Sequence, residues 1–322
     1  MKGGVICNMG SVNIETRISQ IKNKKIKDTI SYIYRWRFLY LLALPALIWY
    51  FIFKYMPIYG IKYAFTNFGR APEPVYIGFE NFKRLFTLPD FSRVFWNTIR
   101  ISFYNIIFSF PATIILALLL NEVTNTKFKK TVQTVICLPN FLSWVVVAGI
   151  WHNILSPGHG VVNYVIQLLG GEPIYFWIDK NWFRPLIVVS GMWKSMGYGT
   201  IIYLAALSRV DEELYDAAKV DGAGRLRQTW HVTLPAIRPI IVITFILSFS
   251  GVLNIFEQIF VMMNNMVKEV ADVIDTYTYH MGIKQMDVGF ATAVGVFKNV
   301  VSLILVLITN GIAKLLTGES LF

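Results

Sequence analysis

The chain has 322 residues, of which 55% are hydrophobic and only 15% are charged, and its mean hydropathy is +0.52. This composition excludes an ordinary soluble domain and is typical of a membrane protein that crosses the bilayer several times. The formal net charge of +11 would suit nucleic acid, but the basic residues lie in short loops and in the N-terminal tail, between apolar runs. That distribution follows the positive-inside rule, so we expect membrane lipid and not nucleic acid around this chain.

Residues 1–37 form a basic N-terminal segment that we expect to stay in the cytoplasm. Ile14, Ile18 and Ile21 recur at helical spacing among its lysines and arginines. A helix lying on the anionic inner leaflet would bury these isoleucines, and a disordered basic tail is the alternative. The segment lacks the apolar core and cleavage site of a secretory signal peptide, so we expect it to be retained.

Six segments are long and apolar enough to cross about 30 Å of hydrocarbon. They are placed at 38–56, 97–120, 132–153, 185–207, 237–260 and 289–313. Cytoplasmic N- and C-termini put most of the loop Lys and Arg residues on the inner side, as the positive-inside rule favours. The sequence thus predicts an all-α, polytopic membrane protein. Its six-helix domain covers 38–316, with a cytoplasmic loop at 208–236 and a short cytoplasmic C-terminus at 317–322.

Polar and aromatic residues inside two of these spans are candidates for the path of a transported solute. The candidates are Trp193, Lys194, Tyr198, Asn254, Glu257 and Gln258. A lysine near the centre of a span costs about 2.5–3.5 kcal/mol, so Lys194 should face a partner or water, and it could attract an acidic sugar such as a uronate. The last three candidates stand at i, i+3 and i+4, on one predicted helical face. The alternative interpretation is a structural Lys194–Glu257 pair or hydrogen bonding between helices.

The predicted cytoplasmic loop begins with signals for a short exposed helix. Asp211 can cap this helix, and the acidic residues that follow, such as Glu213, suit the positive end of the helix dipole. One face of the helix then carries Leu214, Ala217, Ala218 and Asp221. The two alanines leave that face low in relief, so that a partner surface can approach closely.

Glycine and proline residues are expected to end the helices of this loop. Gly222 and Gly224 tolerate the left-handed turn that ends a helix. Pro235 is expected to stop a second short helix over 225–234. Residues 211–235 are therefore predicted to form a bent two-helix elbow that protrudes into the cytoplasm.

Within the elbow, several residues stand at the spacing of a known family motif. Asp216-Ala217-Ala218 is followed by Gly222, Val232 and Leu234-Pro235. The family pattern is Glu-Ala-Ala, three residues, Gly, nine residues, Ile, one residue and Leu-Pro, so the elbow resembles the coupling loop of ABC importer permeases. Here Asp replaces the usual Glu, and Asp211 stands where sugar permeases often have Pro. The resemblance implies a type I importer fold and a role in ATPase coupling for Asp211, Glu213, Leu214, Asp216, Ala217, Ala218, Asp221, Gly222, Gly224, Leu234 and Pro235.

Segments outside the elbow resemble the sugar-importer branch of these permeases. Asn97-Thr98 opens the second predicted span, and the small residues of 289–293 open the last, as is common in that branch. Segments 40–47, 55–60 and 138–149 resemble permeases that import oligosaccharides released from plant or algal polysaccharides. The resemblance implies a bacterial plasma-membrane importer that pairs this chain with a second homologous permease, two ATPase subunits and an extracellular solute-binding protein.

The sequence predicts no cofactor or metal on this chain. It contains no Gly-x-x-x-x-Gly-Lys-Ser/Thr phosphate loop, its four histidines are scattered, and Cys7 and Cys137 lie far apart. We expect a separate subunit to bind ATP and Mg²⁺, and this chain to be a transport subunit and not an enzyme. A permease for another solute class is an alternative. A secondary transporter is a further one, although it would show inverted repeats and interrupted helices.

Overall fold

The computed structural model describes Thr29, residues 32–71 and residues 73–318. Most of the predicted N-terminal segment 1–37 and the last four residues of the predicted C-terminus 317–322 therefore lie outside the described residues. The chain divides into two units, the first ending at Lys62 and the second starting at Tyr63.

The regular structure of the described residues is helical apart from two isolated β-bridges, which join Thr66 to Tyr76 and Phe68 to Ala71. The α-helices are Arg37–Tyr50, Glu80–Thr87, Pro89–Asn121, Thr126–Cys137, Trp144–Ile154, Val161–Leu168, Lys180–Leu207, Glu212–Val220, Arg225–Gln228, Leu234–Gly251, Phe256–Met262, Lys268–Ala271, Ile274–Tyr279 and Val288–Thr317. Short 3₁₀ segments cover Met56–Phe65 and Leu138–Phe141, and π-helical turns cover Phe51–Tyr55, Thr229–Thr233 and His280–Lys284. The predicted all-α class is confirmed.

Four uninterrupted helical stretches of the described chain are long and apolar enough to cross a membrane. They are Arg37–Phe65, Pro89–Asn121, Arg225–Gly251 and Val288–Leu315. A fifth is obtained if the bent pair Thr126–Phe141 and Trp144–Ile154 is one span. The helix Lys180–Leu207 lies where the fourth span is predicted, but it is not among these stretches, so the count of six spans stays a prediction.

The third predicted span, 132–153, is not a single straight helix. The chain bends by 109° between Thr126–Phe141 and Trp144–Ile154. Ser143 starts the second part, where its hydroxyl oxygen accepts from the Val146 amide at 3.4 Å. A bend of this size leaves backbone carbonyls without their helical partners, so other groups must satisfy them in the membrane.

The fifth predicted span, 237–260, is also interrupted. Its helix ends at Gly251, and a new helix begins at Phe256 after a stretch of turn and extended residues. We call residues 252–255 the break. Because the break shifts the helical register, Asn254 does not share a helical face with Glu257 and Gln258, and that prediction is wrong.

The second arm of the elbow differs from its predicted form. Pro235 does not stop a short helix, because Arg225–Gln228 continues through the π-helical turn Thr229–Thr233 into Leu234–Gly251. A π-helical turn is wider than an α-helical one, which lets the helix continue past a residue without an amide hydrogen. Gly222 ends the first arm with φ +75°, as predicted, whereas Gly224 precedes the second arm with φ −67°.

Candidate functional site

A cavity of about 1050 Å³ in the second unit gathers polar residues from several parts of the chain. We call it the central cavity. Asn105 comes from the helix Pro89–Asn121, Lys194 from Lys180–Leu207, and Asp275 from Ile274–Tyr279. Asn254 and Glu257 come from the break and the helix that follows it. The volume can hold a ligand of several rings, and the lining combines apolar surface with a few hydrogen-bonding side chains, as is common in ligand sites.

A second cavity of about 360 Å³ adjoins the central cavity. The two share Asn105, Ser109, Ser195 and Ile255 as lining residues. The smaller cavity continues along Leu234–Gly251, past side chains such as Thr244, towards the elbow end of that helix. Together they outline a path with a wide part at the break and a narrow part nearer the elbow.

Lys194 lines the central cavity, but its ammonium group is engaged with the backbone of the bent third span. Nζ donates to the carbonyl oxygens of Leu142 at 2.6 Å, Asn140 at 2.9 Å and Pro139 at 3.4 Å. It also lies 5.6 Å from the ring centre of Trp144. These carbonyls belong to the bend, where Pro139 also accepts from the Leu142 amide at 3.2 Å. The alternative of a Lys194–Glu257 pair is therefore wrong, and Lys194 stabilises the bend.

The other predicted path residues divide into those inside and those outside the cavity lining. Trp193 packs edge-on against Trp151, with ring centres 6.1 Å apart, and neither it nor Tyr198 lines the central cavity. Gln258 does line the cavity, but its amide is buried and donates to the Ile187 carbonyl at 2.6 Å and to Ser190 Oγ at 3.1 Å. Gln258 thus joins its helix to Lys180–Leu207.

Glu257 is the predicted candidate with the most freedom to meet a ligand. Its side chain is exposed, and within the described residues it makes no hydrogen bond or ion pair. Asn254 is also exposed and accepts a hydrogen bond from Lys298 Nζ at 2.8 Å. Both line the central cavity. The sequence predicted that these two side chains lie close together, but it wrongly placed them on one helical face.

Sequence reasoning missed Asp275, which lines the cavity from the segment between the fifth and sixth predicted spans. Its carboxylate accepts from Lys298 Nζ at 2.5 Å, and the two side chains are only 16% and 15% exposed. Two acidic residues in the stretch 270–283, Asp272 and Asp275, were the available signal, and Lys298 in the last span was a possible counter-ion for one of them.

A hydrogen-bond network fixes the segment that leads to Asp275. Buried Asn97 donates to the carbonyls of Glu269 at 2.9 Å and Asp272 at 3.2 Å, and it accepts from Arg184 at 2.8 Å. Lys180 is hydrogen-bonded to the Glu269 carboxylate, and this bond lowers the pKa of Glu269 below its ordinary value. The network joins residues 268–274 to two long helices, and these contacts fix the segment that leads to Asp275.

The elbow is internally tied but leaves its surface uncovered. Asp211 caps the first arm, where its carboxylate accepts from the Glu213 amide at 3.0 Å. Tyr215 of the first arm and Thr233 of the second are 3.1 Å apart between hydroxyl oxygens. No residue of Glu212–Val220 is buried, and Val220 is 88% exposed.

The second arm shows the same exposure. Leu226 is 79% exposed and Trp230 67% exposed, and they follow Arg225, whose guanidinium lies 3.3 Å from Glu122 at the end of Pro89–Asn121. An uncovered apolar surface on a fixed two-arm frame has the properties of a docking surface for a protein partner.

Among the described residues, no group of three or more His, Cys, Asp or Glu side chains is arranged to hold a metal ion. The site is therefore described by hydrogen-bonding and charged side chains alone.

These features correspond to a known class of transport protein. Residues 102–318 match the family model described as the binding-protein-dependent transport system inner membrane component. The chain belongs to this family, which confirms the family resemblance deduced from the elbow. It is a permease subunit of an ABC importer and not an enzyme.

Individual relatives agree with this assignment along nearly the whole chain. The chain is 46% identical to protein LplB of Bacillus subtilis (strain 168) over 290 residues, which are 89% of this chain and 91% of LplB. It is 43% identical to the polygalacturonan/rhamnogalacturonan transport system permease protein YteP of the same organism, over 94% of this chain and 95% of YteP. A solved bacterial ABC transporter involved in the import of the acidic polysaccharide alginate matches with a TM-score of 0.83 and 38% identity. That match covers 90% of this chain and 99% of the other.

Proposed function

We propose that this chain is one of two membrane-spanning halves of an ATP-driven importer for oligosaccharides derived from polysaccharides. The observation that carries the proposal is the pairing of a large cavity with several polar side chains at the break and an exposed elbow at the far end of the same helical stretch, Arg225–Gly251. A movement of the elbow acts directly on the helix that ends at the cavity wall. Alternating access therefore needs no other mechanical connection within this chain.

The elbow supports docking onto a separate ATPase. Its first arm carries Ala217 and Ala218 on an uncovered helix, so a partner helix or groove can approach its backbone closely. We propose that two ATPase subunits bind ATP and Mg²⁺, one beneath this chain and one beneath a second homologous permease. An extracellular solute-binding protein delivers the sugar. The N- and C-termini lie on the ATPase side, as the distribution of Lys and Arg favours.

The substrate class is proposed from the relatives and from the cavity. Relatives are named for polygalacturonan or rhamnogalacturonan, and the similar solved transporter for the acidic polysaccharide alginate. Asn254 and Glu257 are the proposed contacts to sugar hydroxyls, since both are exposed in the central cavity. Lys194 holds the bend instead, so an acidic sugar would not find its ammonium group free.

Co-purification with the ATPase encoded near this chain tests the coupling role. Ala217→Glu places bulk and charge on the low-relief face and should abolish co-purification and ATP-driven uptake. Lys219→Glu is the matched control: it introduces the same residue two positions along, about 200° around the helix. It replaces the exposed Asp216–Lys219 pair, which contributes about 0–1 kcal/mol, by a like-charge pair whose repulsion is only a few tenths of a kcal/mol. Equal ATPase capture by both variants would contradict docking through this face.

A further inference from the structure

One ammonium group joins three segments at the wall of the central cavity. Lys298 projects from the last long helix, Val288–Thr317. Its Nζ lies 2.5 Å from Asp275 Oδ1 and 2.8 Å from Asn254 Oδ1. Asp275 and Asn254 both line the cavity, from Ile274–Tyr279 and from the break respectively. The Lys298 and Asp275 side chains are about five-sixths buried, so water screens their attraction only weakly.

The break is held on both sides of Asn254 by other helices. Before it, the carbonyl of Val252 accepts from Ser102 Oγ at 2.5 Å. After it, Gln258 donates to the Ile187 carbonyl at 2.6 Å. These two bonds fix the ends of the break but not the direction of the Asn254 side chain. That direction is set by the hydrogen bond from Lys298.

We propose that Lys298 is a positioning residue for the transported sugar, a role that rests on the proposed function. Paired with Asp275, the ammonium group holds the Asn254 amide against the cavity wall, so the amide N–H groups point towards a ligand while the oxygen accepts from Lys298. The hydrogen bond from Gln258 to Ile187 holds the following helical turn, in which the unpartnered Glu257 carboxylate lines the same cavity. Lys298 orders the Asn254 amide that contacts sugar and does not itself bind sugar.

Uptake kinetics in the assembled transporter separate positioning from simple structural support. The complex of both permeases, the ATPase and the binding protein is placed in liposomes. Uptake is measured with labelled oligosaccharides from polygalacturonan and, separately, with neutral arabinan oligosaccharides. Lys298→Met should raise KM about tenfold for whichever of the two groups of oligosaccharides is transported. It should leave kcat within about twofold of the wild-type value, since the substitution removes binding that is equal in the ground and transition states. Lys284→Met is the matched control and should leave both values unchanged, because Lys284 is exposed and makes no hydrogen bond or ion pair in the described chain.

Two further variants test the route through Asn254. Asn254→Ala should raise KM to the same extent as Lys298→Met, and the double variant should raise it no further, because the two residues then act as one unit. Exchanging the charges with Lys298→Asp and Asp275→Lys together should recover part of the loss that either single change produces.

The outcomes distinguish this inference from the proposed function. No uptake of either set by the wild-type assembly would overturn the proposed substrate class, and the positioning role with it. Uptake by the wild type with an unchanged KM in Lys298→Met would overturn the positioning role alone. A parallel fall in kcat, ATPase capture and thermal stability in that variant, without a change in KM, would also overturn it, because Lys298 would then act only as structural support.

Discussion

Replacing Lys194 with methionine should destabilise the protein and leave sugar selectivity largely unchanged. Methionine retains most of the length and apolar bulk of lysine but has no hydrogen-bond donor. The substitution therefore removes the three hydrogen bonds to the carbonyls of the bent third span. At least the carbonyls of Leu142 and Asn140, which lie 2.6 and 2.9 Å from Nζ, lose a short charge-assisted bond.

The magnitude follows from two opposing contributions. Hydrogen bonds to a charged group contribute about 1.5–3 kcal/mol each, so the two short bonds amount to about 3–6 kcal/mol. Removing a lysine from the centre of a span recovers about 2.5–3.5 kcal/mol. The net loss is on the order of 2 kcal/mol. At about 2–4 °C per kcal/mol for a large domain, the melting temperature should fall on the order of 5 °C.

Thermal unfolding of the detergent-solubilised chain, followed by tryptophan fluorescence, measures this loss. Ser195→Ala is the matched control, since Ser195 is the next residue, lines the same cavity and donates only to the Gly191 carbonyl of its own helix at 2.8 Å. Its melting temperature should stay within about 1 °C of the wild-type value, because most such substitutions change stability by less than about 0.5 kcal/mol. If Lys194→Met melts with the wild type yet loses uptake of acidic oligosaccharides only, Lys194 binds substrate and the reasoning is refuted.

Three further changes test other parts of the structure. Gly197→Ala should destabilise the protein by about 1–3 kcal/mol in the same melting assay, because a Cβ at Gly197 would lie 1.9 Å from the Ile136 carbonyl oxygen. Gly149→Ala is the control and should leave the melting temperature unchanged, because a Cβ there would have no atom within 4 Å. Tyr277→Phe should raise stability by about 1 kcal/mol, since the buried Tyr277 hydroxyl has no hydrogen-bond partner in the described residues and burial raises its pKa to about 12. A lower melting temperature would reveal a partner for that hydroxyl. Burial and nearby lysines lower the pKa of His280, so the unfolded chain takes up a proton at a higher pH than the folded chain does. Stability should therefore fall as the pH drops below about 6.5, and His280→Asn should weaken this pH dependence. An unchanged pH profile in this variant would contradict the lowered pKa of His280.

The helical class and the approximate places of the long helices could be predicted because they depend on local apolar content. The helix Val288–Thr317 lies within a few residues of the predicted 289–313, and Pro89–Asn121 contains the predicted 97–120. The elbow could be predicted because capping and glycine signals are also local. Asp211 and Gly222 have the predicted roles. Pro235 was misjudged because the π-helical turn Thr229–Thr233, which lets the helix pass it, has no recognised local signal.

The two interruptions in the spans were missed although each has a weak local signal, Pro139 and Ser143 at the bend and Gly251 and Asn254 at the break. What permits an interruption is a donor on another helix, and the sequence separation is large. Lys194 lies 52 residues from its Leu142 acceptor, and Ser102 lies 150 residues from its Val252 acceptor. A periodic pattern contains no information about such pairs. Of the six substrate-path candidates, four line the central cavity and two, Trp193 and Tyr198, do not.

The contacts of Lys194 and Lys298 change how a lysine within a predicted span of this protein is interpreted. The energetic penalty of a membrane lysine indicates that it must have a partner, but it does not indicate that the partner is substrate. Lys194 binds backbone carbonyls at one interruption, and Lys298 binds Asn254 and Asp275 at the other. Both cations are therefore part of the frame, whereas the Glu257 carboxylate at the cavity wall makes no hydrogen bond or ion pair within the described chain. Because a free carboxylate accepts hydrogen bonds and repels another carboxylate, the wall around Glu257 is suited to sugar hydroxyls and disfavours a uronate carboxylate placed directly beside it.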